Sequence, residues 1–321
     1  MIAVAILGLG SIGLRHAYNL TILGAQVTGF DPDAERRALA EAEGFKTTTE
    51  RGAALDGAAA VVIASPNRFH LEDLEAAAAA DCHVLAEKPL AHTDEGLEDI
   101  LGDFESRGLV VFAGFNLRLH PAIAAARQWL DEERLGTVLW ARFQMSDYLP
   151  GWRPQQDYRL GYGADAVSGG VLFDMIHEFD LAAHLLGPAV VETAAARTSG
   201  LLEVACEDIA DVVLRHQSGV HSSLHLDYVT RPRQRVAEIA GSGGRIDIDL
   251  DARRLVLTSV GGATREDIRF PATYADDYRA EAAAFVQCVA GDAVPACDGR
   301  QALSVLQNVL QARRLAGLPT S

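Results

Sequence analysis

The sequence predicts an α/β protein in which a doubly wound parallel sheet precedes an α+β domain with an open, mainly antiparallel sheet. Three observations lead to this prediction. A glycine-rich turn follows an apolar run at the N-terminus, short apolar runs alternate with helical segments over the first third of the chain, and strands follow one another after about Phe115. We therefore predict two domains, residues 1–117 and 118–321, and the C-terminal helices could pack back on the first one.

Strands and helices alternate in the first domain. Segments of helical composition lie at Ile12–Leu23, Asp33–Glu43, Arg68–Ala80 and Thr93–Arg107. Apolar runs with the length of buried strands lie at Ile2–Leu7, Gln26–Phe30, Ala60–Ala64, His83–Ala86 and Leu109–Ala113. This is the pattern of βαβ units that build a parallel sheet covered on both faces.

Strands dominate the second domain, and several end at glycine turns. They are predicted at Val138–Met145, Val190–Arg197, Ala210–His216, Val220–Val229, Arg235–Ala240, Arg245–Leu250 and Arg253–Val260. Helices are predicted at Pro121–Glu133, Gly170–Leu186, Tyr278–Ala290 and Gln301–Ala316. Alternation within Val220–Val229 makes one face of the sheet apolar, so that face should pack on helices while the polar face meets water or a second subunit.

Composition excludes several classes of protein. The 321 residues carry 28 Lys and Arg against 44 Asp and Glu, a net charge of −16 that repels nucleic acid. The cysteines lack any CxxC spacing, which argues against a disulfide framework and a zinc site, and no apolar run reaches the ~18 residues of a membrane span. We expect a cytoplasmic protein without nucleic-acid or membrane partners.

The glycine-rich turn carries the first functional signal. Gly8, Gly10 and Gly13, with Ser11 and Ile12 between them, form a G-x-G-x-x-G motif that follows a strand and opens a helix. This motif binds the pyrophosphate of a dinucleotide at the helix N-terminus, so the first domain is predicted to be a Rossmann dinucleotide-binding domain. The alternative is a glycine-rich turn that binds nothing.

An acidic residue determines the predicted choice of cofactor. Asp31 ends the second strand, 18 positions after Gly13, near the spacing at which an acid binds the adenosine ribose. A carboxylate there repels a 2′-phosphate, so NAD is favoured over NADP. Arg36 and Arg37 could instead pair with that phosphate, but we expect them on the solvated face of the second helix.

Two further turns follow strands of the parallel sheet. Ser65-Pro66-Asn67 follows the strand Ala60–Ala64, at the carboxyl end where ligands bind in such sheets. Glu87-Lys88-Pro89 follows the strand His83–Ala86, and a lysine there could donate to a substrate oxygen. An ordinary turn and a solvated lysine are the alternatives.

A third cluster lies in the second domain. The pair Gly169-Gly170 precedes an apolar helix in which Asp174, His177 and Asp180 are spaced at i, i+3 and i+6, on one predicted helical face. A histidine beside a carboxylate can exchange the proton that alcohol oxidation requires. A hydrogen-bonded Asp–His pair in the core is the alternative.

Taken together, the glycine motif, Glu87-Lys88-Pro89 and the His-x-x-Asp helix resemble the Gfo/Idh/MocA family of oxidoreductases over essentially the whole chain. The resemblance implies that Lys88 is the catalytic lysine, His177 the general acid/base and Asp174 its companion acid. Many members have three residues between that acid and the histidine, whereas this chain has two.

The resemblance also implies where the ligands bind. The segment Ser65-Pro66-Asn67 with His70 resembles the one that flanks the nicotinamide, and Glu87 and Lys88 complete the expected cofactor residues. Asn116 and Arg118 resemble the segment that enters the second domain. The candidate substrate residues are these two together with Tyr148, Trp152, Arg153, Tyr158 and Arg159.

The predicted function is NAD-dependent hydride transfer between the nicotinamide and a secondary alcohol or ketone of a sugar, an inositol-like polyol or a sugar-nucleotide derivative. A non-catalytic dinucleotide-binding regulator, and an oxidoreductase that couples two substrates through a permanently bound cofactor, remain alternatives. No metal is required. His221, His225 and Asp227 share a strand face and are assigned to a solvated or interface surface, through which we expect a homodimer or homotetramer.

Overall fold

The computed structural model describes residues 2–152, 155 and 157–320. They divide into two compact units. The first unit comprises the described residues up to Asn116 together with Tyr274–Leu303, and the second comprises the described residues of Leu117–Thr273 and those from Ser304 onwards. Our predicted domain boundary after residue 117 stays a prediction.

Strands and helices account for most of the described chain. The strands are β1 (Ala3–Leu7), β2 (Gln26–Phe30), β3 (Lys46–Thr48), β4 (Ala60–Ile63), β5 (His83–Glu87), β6 (Val111–Gly114), β7 (Val138–Ser146), β8 (Ala189–Arg197), β9 (Ile209–His216), β10 (His221–Asp227), β11 (Gln234–Gly241), β12 (Gly244–Asp249), β13 (Arg254–Ser259) and β14 (Thr264–Arg269). The helices are α1 (Ser11–Ile22), α2 (Ala34–Ala42), α3 (Arg51–Leu55), α4 (His70–Ala79), α5 (Leu97–Ser106), α6 (Pro121–Asp131), α7 (Leu149–Trp152), α8 (Val171–Asp174), α9 (His177–Leu186), α10 (Tyr274–Ala290) and α11 (Gly299–Leu315). Short 3₁₀ helices lie at Asn67–Phe69, Asn116–Leu119, Tyr158–Leu160 and Tyr162–Ala164.

The first unit contains a parallel sheet with the strand order β3-β2-β1-β4-β5-β6. The order reverses between β1 and β4, and ligands bind outside the carboxyl ends of the strands at such a switch point. The apolar side chains of Val4–Leu7 in β1 and of all of β4 are almost fully buried, as expected for a sheet covered on both faces. This confirms the Rossmann fold.

Helix α10 belongs to the core of the first unit. Phe285 and Ala282 of α10 pack in one cluster with Leu20 of α1 and with Ile6 of β1. A segment late in the sequence therefore supports the helix that follows the glycine turn.

The second unit contains a sheet with the order β14-β13-β12-β11-β7-β10-β9-β8. The pair β7–β10 is parallel, and the other described pairs are antiparallel. The predicted mainly antiparallel sheet is thus confirmed. On β10, Ser222, Leu224 and Leu226 are buried, whereas His221 and His225 on the opposite face are partly exposed.

One predicted helix is wrong. The segment Gly170–Leu186 forms two helices, because α8 ends at Asp174 and α9 begins at His177. The backbone leaves the helical region at Met175, where ψ is +30°. Buried partners hold the two helices separately: Glu207 binds the start of α8, and Arg235 binds Glu178 of α9.

Candidate active site

The glycine loop of the first unit packs directly against the loop that follows β4. Gly8 has φ +95°, and a Cβ atom there would lie 2.6 Å from the backbone nitrogen of Ser65. A Cβ atom on Gly13 would overlap the carbonyl oxygen of Gly8. These two glycines let strand, loop and helix approach one another, so the structure brings the motif and Ser65 together.

Gly10 differs from both neighbours because the space beside it is open. The nearest atom to a Cβ at this position is Nη1 of Arg36, at 3.8 Å. Gly10 is the N-cap of α1, no side chain caps this helix, and its first turn carries no acidic residue. Ser11 is exposed and Ile12 half-buried. Open space at a helix N-terminus fits the pyrophosphate of NAD, and these residues would hold it.

Asp31 lies at the end of β2, beside the glycine loop. Its carboxylate is buried and accepts hydrogen bonds from the amides of Leu9 (2.8 Å) and Asp33 (2.9 Å). These two bonds fix both oxygens at the position expected for an acid that binds a ribose.

The two arginines of α2 lie beside Asp31. Nη1 of Arg36 lies 3.6 Å from Oδ2 of Asp31, and Nη1 of Arg37 donates to the carbonyl oxygen of Asp31 at 2.7 Å. Both arginines therefore contact Asp31, and Arg37 is half-buried, whereas the solvated face of α2 was expected for it. About half of the Arg36 side chain is nevertheless exposed.

The loop after β4 is held by buried polar groups. The hydroxyl of Ser65 donates to Asp73 (2.6 Å), Pro66 is exposed and Asn67 is buried. The ring nitrogens of His70 lie 2.8 Å from the carbonyl oxygen of Ser65 and 2.9 Å from that of Pro89. Burial lowers the pKa of His70, against the opposing effect of these two carbonyl groups. His70 thus joins the Ser65 loop to the Glu87-Lys88-Pro89 segment.

Lys88 follows β5 directly and is half-buried. Its backbone amide donates to Oε2 of Glu87 (3.3 Å), whose Oε1 lies 2.8 Å from Nε2 of the buried His16. Burial opposes the ionisation of Glu87, but the hydrogen bond from His16, with the charges of His16 and Lys88, holds its pKa below the usual value. The predicted cofactor residues of the first unit therefore form one cluster at the carboxyl ends of β1, β2, β4 and β5.

In the second unit, a buried ion pair fixes the glycine pair that precedes α8. Gly170 has φ +90°, and a Cβ atom there would overlap the carboxylate of Glu207. Glu207 accepts from the amide of Leu172 (3.2 Å) and from Nη1 of Arg313 (3.1 Å). Arg313 also donates to the carbonyl oxygen of Gly169, at 3.3 Å.

Asp174 and His177 lie on either side of the break between the helices, and both are buried. The carboxylate of Asp174 accepts a hydrogen bond of 3.0 Å from the hydroxyl of Tyr228, which is itself fully buried. Trp152 packs edge-on against the Tyr228 ring, with 5.4 Å between the ring centroids. The predicted acid and one predicted substrate residue therefore meet at Tyr228.

Arg118 does not present a free guanidinium to a substrate. It binds Asp180 through Nε and Nη2, at 2.6 to 3.1 Å, and both side chains are buried. Burial raises the pKa of Asp180, although the charge of Arg118 opposes this. The contacts with Arg118 engage the carboxylate of Asp180 in an ion pair. Asn116 is buried at the end of the first unit, two positions after β6.

The remaining substrate candidates are dispersed. Arg159 binds Asp157 and Glu203, and the hydroxyl of Tyr158 accepts from the amide of Glu203, so these two form a partly exposed cluster. The guanidinium carbon of Arg231 lies over the ring of Tyr148, 3.8 Å from the centroid of that ring. Arg153 lies outside the described residues.

Sequence reasoning missed four residues that shape these clusters: His16, Glu207, Tyr228 and Arg313. Of these, only His16 carries a local signal, since it lies three positions after Gly13 on α1. The other three are recognisable only once the chain has folded.

Together, the parallel sheet, the open glycine position and Asp31 define an NAD-binding oxidoreductase fold. Residues 2–115 match the model of the oxidoreductase family with an NAD-binding Rossmann fold, and residues 123–247 match that of the GFO/IDH/MocA C-terminal domain. The chain belongs to the Gfo/Idh/MocA family. This confirms the predicted family, the NAD cofactor and the oxidoreductase class, and it does not favour a non-catalytic role.

Characterised relatives cover nearly the whole chain. Myo-inositol 2-dehydrogenase of Thermotoga maritima is 29% identical over 94% of this chain and 92% of its own length. UDP-N-acetylglucosamine 3-dehydrogenase of Acidithiobacillus ferrooxidans is 26% identical over 96% and 95%. A crystal structure of the latter protein covers 98% of this chain and 97% of its own, with TM-score 0.81 and 25% identity.

A levoglucosan dehydrogenase crystallised with NADH and levoglucosan shares the fold. It covers 98% of this chain and 97% of its own with TM-score 0.88, at 21% identity. Among the described residues, no helix is both long and apolar enough to cross a bilayer.

Proposed function

We propose that this protein transfers a hydride between NAD and a secondary alcohol or ketone of a sugar, a polyol or a sugar nucleotide. The observation that carries this proposal is the cluster in the first unit, where the glycine loop contacts Ser65 and His70 joins Ser65 to Pro89 beside Lys88. A lysine is thereby held next to the predicted nicotinamide residues. The relatives that act on inositol and on UDP-N-acetylglucosamine support a carbohydrate-like substrate.

Cofactor binding is assigned to the first unit. The amides at the start of α1 would bind the pyrophosphate, for which Gly10 leaves room, while Gly8 and Gly13 let the strand, loop and helix pack closely. Asp31 binds the adenosine ribose, while Ser65, Pro66, Asn67, His70 and Glu87 line the nicotinamide end. The nicotinamide of bound NAD would supply the hydride acceptor, at C4.

The proton is handled by the chain's own residues. Lys88 donates a hydrogen bond to the hydroxyl oxygen of the substrate, and His177 removes the hydroxyl proton as the carbon loses its hydride. Asp174, oriented by Tyr228, is the companion acid of His177. Such acid–base catalysis contributes a factor of roughly 10²–10⁴. In the reverse direction, the same groups return the proton to the carbonyl oxygen.

Substrate recognition is assigned to the second unit. Trp152 is the strongest of the candidates because it packs on Tyr228, which binds Asp174. Tyr148, Arg153, Tyr158 and Arg159 remain candidates. Arg118 acts on the substrate only indirectly, because it is bound to Asp180, and Asn116 remains a candidate.

We also propose that the open face of the second sheet binds another copy of the chain. Trp140 and Leu139 of β7 are exposed among charged groups of both signs, including Arg142 and Asp247. A homodimer or homotetramer in the cytoplasm is the expected state, and the free, buried cysteines fit a reducing compartment. The molar mass from light scattering tests this, and a monomer would contradict it.

The reaction itself is tested by NADH formation. Purified protein is incubated with NAD and a panel of inositols, aldoses and sugar nucleotides, with Lys88→Met assayed in parallel as the matched control. We expect at least one member of the panel to be oxidised by the wild type only. Turnover that persists in Lys88→Met would contradict the proposed role of the lysine.

A further inference from the structure

Three titratable side chains meet in the interior of the first unit, next to Lys88. His16 comes from α1, Glu87 from the end of β5 and Glu281 from α10. One nitrogen or oxygen of each lies within 4.8 Å of those of the other two. His16 and Glu281 are fully buried, and the Glu87 side chain is 12% exposed. None of the proposed catalytic steps uses Glu281.

The carboxyl groups of Glu87 and Glu281 differ in the number of their hydrogen bonds. Glu87 receives the His16 ring at 2.8 Å through Oε1 and the Lys88 amide at 3.3 Å through Oε2. Both oxygens of Glu281 are buried, and neither has a hydrogen-bond partner among the described residues. An ionised carboxylate can only accept, so an ionised Glu281 would be buried without compensation.

The charged and titratable groups around Glu281 have other partners or carry the same charge. Nε2 of His16, the basic group of the cluster, binds Glu87, and its Nδ1 has no hydrogen-bond partner among the described residues. Asp277 adds a further negative charge on α10, and the hydroxyl of Tyr278 is engaged with Tyr274 at 3.1 Å. The guanidinium of Arg15 lies over the ring of Tyr278, 4.6 Å from its centroid. On the β5 side, Glu87 is already bound by His16 and close to Lys88.

We propose that Glu281 is a neutral carboxylic acid whose proton faces Glu87, and that Glu281 thereby positions Glu87 and, through it, Lys88. A protonated carboxyl group has one donor, and Glu87 is an acceptor in the same cluster. Glu87 and Glu281 then share a single negative charge. The charge stays on Glu87, because His16 and Lys88 stabilise the ionised form of that residue. Burial, with the nearby charges of Glu87 and Asp277, raises the pKa of Glu281 well above its usual value.

This inference rests on the proposed function only where it concerns Lys88. The protonation state of Glu281 is a property of the folded chain and can be measured without turnover. Failure of the proposed dehydrogenase activity would leave that measurement unaffected.

The first test is infrared spectroscopy near neutral pH. We expect a carbonyl band of a protonated carboxylic acid in the wild-type protein, absent in Glu281→Gln and retained in Glu75→Gln, which alters an exposed residue of α4. Identical spectra in the wild type and Glu281→Gln would overturn the proposal. So would a stoichiometric divalent cation that is found by elemental analysis in the wild type and is lost in Glu281→Gln.

The second test follows stability with pH. A group whose folded pKa lies above its unfolded value of 4.5 stabilises the fold less as the pH rises above that value, because the unfolded chain releases the proton while the folded state retains it. Glutamine has no such proton. The urea midpoint of Glu281→Gln should therefore rise relative to that of the wild type from neutral to alkaline pH. Parallel curves for the two proteins would contradict the proposal that Glu281 is protonated in the fold.

The third test addresses Lys88. The glutamine amide can donate to Glu87 as the acid does, whereas leucine cannot, so kcat of Glu281→Leu should fall by roughly tenfold below that of Glu281→Gln. The KM for NAD should be similar in both variants. If glutamine gives no rescue over leucine, Glu281 has no positioning role. Should Glu281→Leu fail to fold, the infrared and stability measurements on Glu281→Gln still decide the protonation state.

Discussion

The carboxylate of Asp31 accepts a hydrogen bond of 2.8 Å from the amide of Leu9, which lies between the first two glycines of the motif. One buried side chain thus joins the end of β2 to the loop before α1. The residue proposed to select the cofactor and the loop proposed to hold the pyrophosphate are therefore joined by a direct hydrogen bond.

Replacing Asp31 should change the choice of cofactor. Asp31→Ser removes the charge that repels a 2′-phosphate and releases Arg36, which lies 3.6 Å away, to bind that phosphate. Hydrogen bonds to a charged group contribute about 1.5–3 kcal/mol, so the NAD-to-NADP ratio of kcat/KM should fall by roughly 10–100-fold. Asp33→Ser removes another acid near Arg36 and should keep the preference. An unchanged preference in Asp31→Ser would remove the assignment.

The glycines of the motif should differ in the effect of an added methyl group. Gly10→Ala has room within the chain, so the variant should fold with the wild-type Tm but bind NADH about tenfold more weakly, a loss of ~1.4 kcal/mol. Gly13→Ala should unfold or fail to express in soluble form, because its methyl group meets the Gly8 carbonyl. Fluorescence titration and thermal unfolding measure both effects, and normal NADH binding by Gly10→Ala would argue against pyrophosphate at this position.

Lys88 should be required for turnover but not for cofactor binding. Lys88→Met keeps a flexible side chain but loses the ammonium donor, and kcat should fall by roughly 10²–10⁴-fold. Titration with NAD should give the wild-type affinity. A large loss of NAD affinity would instead place Lys88 mainly in the cofactor site.

Tyr228 should support catalysis through Asp174. Tyr228→Phe removes the 3.0 Å hydrogen bond and leaves the buried carboxylate with one donor fewer, at a cost of about 1–3 kcal/mol in stability. We expect kcat to fall with little change in the Kd of NAD. Tyr18→Phe, which breaks an exposed bond to Glu43, is the matched control and should keep both values. Wild-type kcat in Tyr228→Phe would show that Asp174 needs no orientation.

The second sheet should lose stability in alkali because of His225. Hydrogen bonding to Asp227 and Asp211, against the effect of burial, raises the pKa of His225 to about 9 from 6.5. Its contribution is fully present below pH 6.5 and is lost as the pH rises through about 9. The urea midpoint of His225→Gln should decline less over this range than that of the wild type, whereas Ser223→Ala should follow the wild type. Parallel curves for the wild type and His225→Gln would refute this.

Local patterns made most of the fold predictable. Strands such as Gln26–Phe30 and the helix after Gly10 follow from apolar runs, turn glycines and caps that are contiguous in sequence. The strands β3 and β14 were missed because Lys46-Thr47-Thr48 and Thr264–Arg269 are largely polar edge strands without an apolar run.

The candidate site was less predictable because its partners are distant in sequence. Helical spacing grouped Asp174 with Asp180, yet Asp174 binds Tyr228, 54 positions away, and Asp180 binds Arg118, 62 positions away. Charge alone likewise could not show that Arg118 is committed to an ion pair. The conformation of the glycine loop was predictable from local sequence because it depends on backbone geometry, whereas its role in cofactor binding stays a prediction.

The central place of β7 in the second sheet has a consequence for how the protein is made. β7 pairs with β10 and β11. Trp140 can therefore pair with its neighbours only after both His221 and Ala240 have been synthesised. In the other half, β1 finds its first neighbour as soon as Gln26–Phe30 has emerged from the ribosome. A nascent chain that exposes the apolar side of β7 for so long is prone to aggregation, and we expect chaperones to protect it at that stage.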